Sequence, residues 1–420
     1  MDLARITAIA IFVAMFAVIV SGRIHRTWAA LGSALLTAII VLRSPAATFN
    51  SINWETIIFL GGMMVMVAGL GLSGFFRWLC LYVARLAHYN TTAIFISFMV
   101  LSGFLAMFID SITVLLFMAA VVIELSYLMG FKPMPFIIAL IFAANTGGAA
   151  TMSGDPPNVI IGTAFGYSFM DFATNTGPIA WVGLLVGMGF LYFTQRHLLA
   201  AAATSADYPE PRQAITDRPL FSKGVVIFLI IIAFLVSHHA LGQPIHVVGI
   251  TAAVLTFIAA WRRLPEVFHE VDWPTLLFFL GLFVVVGGLE ETHVLQMVAD
   301  SIGDATGGEL ALAIAFILWF SAFASAIVDN IPFAAAMVPV IRGMSATLGM
   351  DQETLSWTLA LGADIGGNAT PIGASANVVG LGVAERMGIK ISWGYYLLRA
   401  VPATILALIV FHILLLMRYT

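Results

Sequence analysis

Asp110, Asp155, Asp329 and Asp364 stand inside the most apolar parts of a 420-residue chain. A carboxyl group in hydrocarbon is costly and marks function, because it either takes up a proton or, ionised, draws a cation. Asp110 and Asp329 open the short polar turns Asp110-Ser111-Ile112-Thr113 and Asp329-Asn330-Ile331-Pro332. Asp155 and Asp364 belong to longer glycine- and proline-rich interruptions that also carry Asn145, Thr151, Gly154, Asn158, Asn368, Thr370, Ser375 and Asn377. Together with Ser111, Thr113 and Asn330 these residues form an expected site of oxygen ligands for a small polar solute or ion. The four aspartates are its proton-coupling candidates. For Asp155, which precedes two prolines, and for the two turn aspartates, helix capping is the competing role.

The elements that position these residues are duplicated. Gly147 to Asn158 recurs 219 residues later as Gly366 to Asn377. The same offset carries Trp54, Thr56, Phe59, Gly62, Val65 and Gly69 onto identical residues at 273, 275, 278, 281, 284 and 288. It also carries Ser102, Phe104, Asp110, Ile112 and Met118 onto 321, 323, 329, 331 and 337. Apolar helices resemble one another by composition, but that does not match Trp, Gly, Asp and Asn in one ungapped register. Paired Gly- and Pro-interrupted apolar segments in two halves point to a transporter with its site at the repeat interface.

Composition sets the medium. With 61% hydrophobic and 10% charged residues and a mean hydropathy of +1.02, the chain is a polytopic membrane protein. The net charge of −4 comes with no basic patch, which argues against a nucleic-acid partner. A lone cysteine, Cys80, excludes an internal disulfide and a multi-thiolate metal site. The apolar runs expected to cross in the first half are Leu3 to Val20, retained rather than cleaved, Trp28 to Leu42, Trp54 to Leu72, a broken span from Phe136 to Phe165, and Ile179 to Phe193. Phe76 to His88 reads as an amphipathic surface helix. Ala93 to Phe108 and Val114 to Met129 read as a re-entrant hairpin. His238-His239 reads as an interfacial pair.

The expected domains are residues 1–199 (repeat 1, five crossings and a cytoplasm-facing hairpin), a cytoplasmic linker at 200–222, and 223–420 (repeat 2, five crossings and an exterior-facing hairpin). An odd crossing number inserts the second repeat upside down. With both termini outside, only Arg5, Arg43, Arg342 and Arg418 of the 18 Lys and Arg residues fall outside the cytoplasm. The expected fold is thus all-α, with ten transmembrane helices and two re-entrant hairpins in inverted-topology repeats, placed in the plasma (inner) membrane.

Gly147-Gly148 through Asn158, the partner stretch Asp364 to Gly380, and the tail Ile391-Ser392-Trp393-Gly394-Tyr395-Tyr396 resemble the ion transporter superfamily, within it the branch of arsenite efflux permeases, the melanosomal P-protein and certain sodium/proton antiporters. The likeness covers nearly the whole chain. It implies a homodimer with a scaffold and a mobile transport domain in an elevator motion. Dicarboxylate carriers of the superfamily typically carry Ser-Asn-Thr at the hairpin tips. Here the tips carry Asp110 and Asp329, which would repel a dianion. The function expected is proton-coupled efflux of arsenite or antimonite, with sodium/proton antiport, or an anion or carboxylate transporter of the same superfamily, as alternatives. The chain carries no Gly-x-x-x-x-Gly-Lys-Ser/Thr loop, so any ATPase would be a separate subunit. Neither enzyme chemistry nor a cofactor is expected.

Overall fold

Short polar residues start the helices. Asn53, Asn90, Asp217, Asp272, Asp351 and Ser392 each accept a hydrogen bond from a backbone N–H in the first turn that follows. The computed structural model describes residues 3–199 and 208–420, and the described residues are helical between these caps. The first half holds α1 (Leu3–Ser21), α2 (Arg26–Leu36, prolonged by a π-helical turn Thr37–Leu42), α3 (Pro45–Asn50), α4 (Trp54–Leu72), α5 (Phe75–Leu86), α6 (Thr91–Ala106), α7 (Ser111–Met129), α8 (Met134–Gly148), α9 (Pro156–Phe165) and α10 (Phe169–Gln195). The second half holds α11 (Arg218–Ser237), α12 (Ile245–Ala259), α13 (Leu264–Glu270), α14 (Trp273–Glu291), α15 (Val294–Thr306), α16 (Leu310–Ile327), α17 (Asn330–Leu348), α18 (Gln352–Gly367), α19 (Ser375–Arg386) and α20 (Trp393–Tyr419).

Offset by 219, the local contacts repeat as well as the letters. Trp54 Nε1 donates to Phe49 O at 3.2 Å, and Trp273 Nε1 to Phe268 O at 2.8 Å. Two close helix crossings are also a matched pair. A Cβ on Gly62 of α4 would collide with the backbone of Gly249 in α12, and one on Gly281 of α14 with the backbone of Ala30 in α2. Small residues let backbones approach where lipid supplies no hydrophobic drive.

α4 packs on α12 and α2 on α14, whereas α6 packs on α8, α16 on α18, α7 on α19 and α10 on α20. Among the described residues nine helices are long and apolar enough to cross a bilayer, or ten if α12 and the 86° bend into Trp261–Glu270 form one span. These nine are not the crossings expected. They include α7, α16 and α17, arms of the expected hairpins, and omit the expected crossing at α2, which is too short, and α8 and α18, which their breaks leave too short.

One further boundary changes. α10 begins ten residues before Ile179, because Ser168 and Asp171 form a reciprocal capping box and the helix runs through Pro178. His238 is buried, its Nδ1 lying 2.8 Å from Gln243 O across a tight turn, while His239 stays exposed. Of the expected linker, Ala200 to Asp207 lie outside the described residues. From Tyr208 onward it is docked, with Tyr208 stacked on Tyr89 at 3.8 Å and Thr216 Oγ1 donating to Leu72 O at 2.6 Å. Gly74, at φ +84°, lets this segment close in, since a Cβ there would strike Ala214 O.

Candidate functional site

Two breaks and two tips build the site. α8 ends at Gly148 and α9 starts at Pro156, where a missing N–H leaves no helical bond unmade. The side chain of Asn158 stitches this break: its Nδ2 donates to Gly148 O and Thr151 O, both at 3.0 Å. Asn377 does the same between α18 and α19, to Gly367 O at 2.7 Å and Thr370 O at 2.8 Å. Each break is also tied to a turn. Thr151 Oγ1 donates to Met107 O after α6, and Thr370 Oγ1 to Ala326 O in the last turn of α16. Gly154 permits the close fit, as a Cβ there would collide with Gly148 O and Ala106 O.

At the junction lies a buried acidic pair. Asp155 and Asp364 are 4% and 0% exposed. Asp155 occupies the N-cap position of α9 yet makes no capping bond. Its carboxylate instead accepts from Ser111 Oγ at 2.6 Å and Asn330 Nδ2 at 3.3 Å. The same Asn330 Nδ2 donates to Asp364 Oδ1 at 3.2 Å, so one amide joins both acids. Beside them Asn145 Nδ2 donates to Asn368 Oδ1 at 2.9 Å and Asn377 Oδ1 at 2.8 Å. Asp364 Oδ2, Asn158 Oδ1 and Asn145 Oδ1 are buried acceptors with no donor among the described residues. Such atoms call for a donor or a cation.

The turn aspartates both make capping bonds. Asp110 caps α7, accepting from Thr113 N at 2.9 Å and Thr113 Oγ1 at 2.8 Å. Asp329 caps α17 through Ile331 N at 3.2 Å and pairs with Arg26 at 3.0 Å, and Ser375 Oγ hydrogen-bonds to it. No hydrogen bond joins either carboxylate to Asp155 or Asp364; their neighbours Ser111 and Asn330 make that connection.

Arg26, Thr146 and Tyr396 were not expected at the site. Thr146 Oγ1 accepts from Asn368 Nδ2 at 3.4 Å, and Tyr396 Oη donates to Asn368 O at 3.0 Å. Tyr396 could have been found, since it closes the Ile391-to-Tyr396 stretch. Arg26 could not, because an arginine at the start of an apolar run reads as a loop charge.

The offset exposes an asymmetry. Asp364 answers to Asn145, Asp155 to Ala374, Asn330 to Ser111 and Arg26 to Ile245. Two cavities flank the turns. One of about 240 Å³ is lined by Asp110, Thr113, Glu270 and Asp272; the other, of about 450 Å³, by Arg26, Asp329, Ser375 and Val379, and Ile112 and Asp272 border both. Among the described residues no group of His, Cys, Asp and Glu is arranged to hold a metal ion.

A family model described as citrate transporter (CitMHS) matches residues 16–362. The chain is 34% identical over 424 residues to the 46 kDa membrane protein of Mycobacterium leprae, covering 99% of each. It is 30% identical to the P protein of Homo sapiens, over 92% of this chain and 56% of that protein. The solved structure of the Alcanivorax borkumensis YdaH transporter aligns with a TM-score of 0.56 at 17% identity, covering 88% of this chain and 86% of the other. That likeness concerns the fold.

Proposed function

The chain belongs to the citrate transporter family, and from that premise we propose that it is a proton-coupled secondary antiporter exporting arsenite or antimonite as the neutral acid, with Asp155, Asn330 and Asp364 as the coupling centre. One observation carries the reading: two buried carboxylates share a single amide, beside three buried acceptor oxygens without donors. A citrate anion would meet two buried carboxylates at the centre, and the nearby Arg26 is already paired with Asp329. At 4 Å two unit charges repel by about 4 kcal/mol at an effective dielectric of 20. Arsenous acid is uncharged at neutral pH and brings three O–H donors to the orphan oxygens. A proton on the acids competes with it, which is the exchange an antiporter needs.

A sodium ion is the second reading, favoured by the same acceptor-only atoms. The proposal keeps the inverted repeats, with the domains at 1–199, 200–222 and 223–420, both termini outside and the homodimeric elevator. The duplicated contacts and the turns hydrogen-bonded to the breaks support it, as re-entrant tips meeting broken helices would be. An associated ATPase remains part of the same proposal.

The test is flux in proteoliposomes under an imposed pH gradient, comparing arsenite, sodium and citrate, with Asp364→Asn alongside. Arsenite-coupled proton movement lost in Asp364→Asn is expected. Saturable sodium-driven proton movement without arsenite flux would transfer the assignment to sodium, and citrate flux would refute the acceptor-site argument.

A further inference from the structure

Arg26 reaches across the packing between the α2–α14 pair and the helices that carry the acidic centre. Its Nη1 lies 3.0 Å from Asp329 Oδ2 and also hydrogen-bonds to Ser375 Oγ, while Nη2 donates to Thr275 Oγ1 at 2.9 Å. The guanidinium sits 5.3 Å from the centre of the Phe278 ring. One fork thus joins the start of α2, the first turn of α14, the cap of α17 and the first residue of α19. Arg is suited to this because its planar donors hold several acceptors at fixed angles. The pair is mostly shielded, with side-chain exposures of 23% and 13%.

Asp329 is followed in the chain by Asn330, the amide between Asp155 and Asp364. Fixing the cap therefore fixes where that amide stands. The other turn has no such hold: Ile245 stands where an equivalent cation would be, and Asp110 is satisfied by Thr113 alone. Among the described residues, only the turn that supplies the bridging amide is held by an arginine.

We propose that Arg26 is a positioning residue for the coupling centre, clamping the Asp329 cap so that Asn330 stays in register with Asp155 and Asp364. The inference rests on the coupling role given above to those two acids. A clamp from α2 and α14 onto α17 and α19 also has to let go if the two groups slide past one another, so it weights the resting state of the cycle.

The experiment uses the full chain in lipid nanodiscs, as wild type, Arg26→Gln, Arg26→Lys and Asp329→Asn. Hydrogen exchange of the segment 328–333 is read against 109–114, a measurement independent of the solute. Arg26→Gln should speed exchange at Asn330 and Ile331 by about tenfold or more while leaving 111–113 unchanged, and Arg26→Lys should recover part of the protection. In proteoliposomes with arsenite and, separately, sodium as probes, Arg26→Gln should lower the maximal flux more than it raises the half-saturating concentration. If Arg26→Gln does not fold, Arg26→Lys and Asp329→Asn read the same segment. Unchanged exchange at 330–331 in the folded variants would overturn the proposal, as would equal loosening of both turns. Faster exchange at 330–331 with neither probe transported by wild type would leave the clamp standing and remove the solute assignment.

Discussion

Replacing Asn158 with Ala separates a strut from a ligand. Asn158 is fully buried, and its Nδ2 holds Gly148 O and Thr151 O at 3.0 Å each, so the variant strands two carbonyls at the α8–α9 break. In water-soluble cores an orphaned buried acceptor costs about 1–3 kcal/mol. Inside membranes such bonds average about 0.6 kcal/mol, since the unfolded chain also finds partners there. Two bonds thus bracket the expected loss between about 1 and about 6 kcal/mol. Unfolding by SDS in mixed micelles, followed by tryptophan fluorescence, reads it. Asn377→Ala should lose a similar amount, because its bonds at 2.7 and 2.8 Å close the matching break. Thr174→Ala, on an exposed hydroxyl, should stay within about 0.5 kcal/mol of wild type. Losses under about 0.5 kcal/mol in both Asn variants would refute the stitching argument. Unchanged stability with lost solute binding in Asn158→Ala would make its free Oδ1 a ligand and nothing more.

Gly154→Ala should destabilise by about 1–3 kcal/mol or prevent folding, since its Cβ meets two backbone carbonyls that cannot move aside; normal yield and melting behaviour would contradict the packing. Cys80 is buried on α5, and burial pushes its thiol up to about 12. Because the thiolate is the reactive form and a free cysteine ionises near 8.5, maleimide labelling of the folded protein should stay negligible through about pH 9 and become complete on unfolding; rapid labelling at pH 8 would refute the burial. With Cys80 replaced by Ala, a cysteine at Ala305 should react with an impermeant thiol reagent added outside cells and one at Gln213 should not, both positions being exposed in the structure. The opposite pattern would invert the proposed orientation.

The helix breaks were legible because their chemistry is local. Glycine pairs and a double proline interrupt an apolar run wherever they occur, and the offset of 219 doubled the signal. The capping bonds of Asp110 and Asp329 were legible as one of two readings, and the structure shows them at Thr113 N and Ile331 N. The run read from Ile179 starts late because the reciprocal cap of Ser168 and Asp171 lies upstream of it and carries the helix through Pro178, which removes only one backbone bond. Arg26 was beyond reach for a different reason. Its partners Thr275, Asp329 and Ser375 lie at least 249 residues away, and no spacing rule connects a helix start to a turn in the other half.

Duplication also explains why a single acidic centre exists where two frames are present. The frame needs Asn158 and Asn377, Thr151 and Thr370, and the paired glycines, and these are kept in both halves. The acids are not. Asn145 lies where the second half has Asp364, and Ala374 where the first has Asp155, so each half contributes one carboxylate to a shared centre. Asn330 then bridges acids drawn from both halves, and Ser111, its counterpart, reaches only Asp155. A symmetric set would place four carboxylates within one low-dielectric site, where like charges repel by several kcal/mol. Splitting one pair between the halves avoids that repulsion and makes the centre complete only where the two halves meet, so neither half carries it alone.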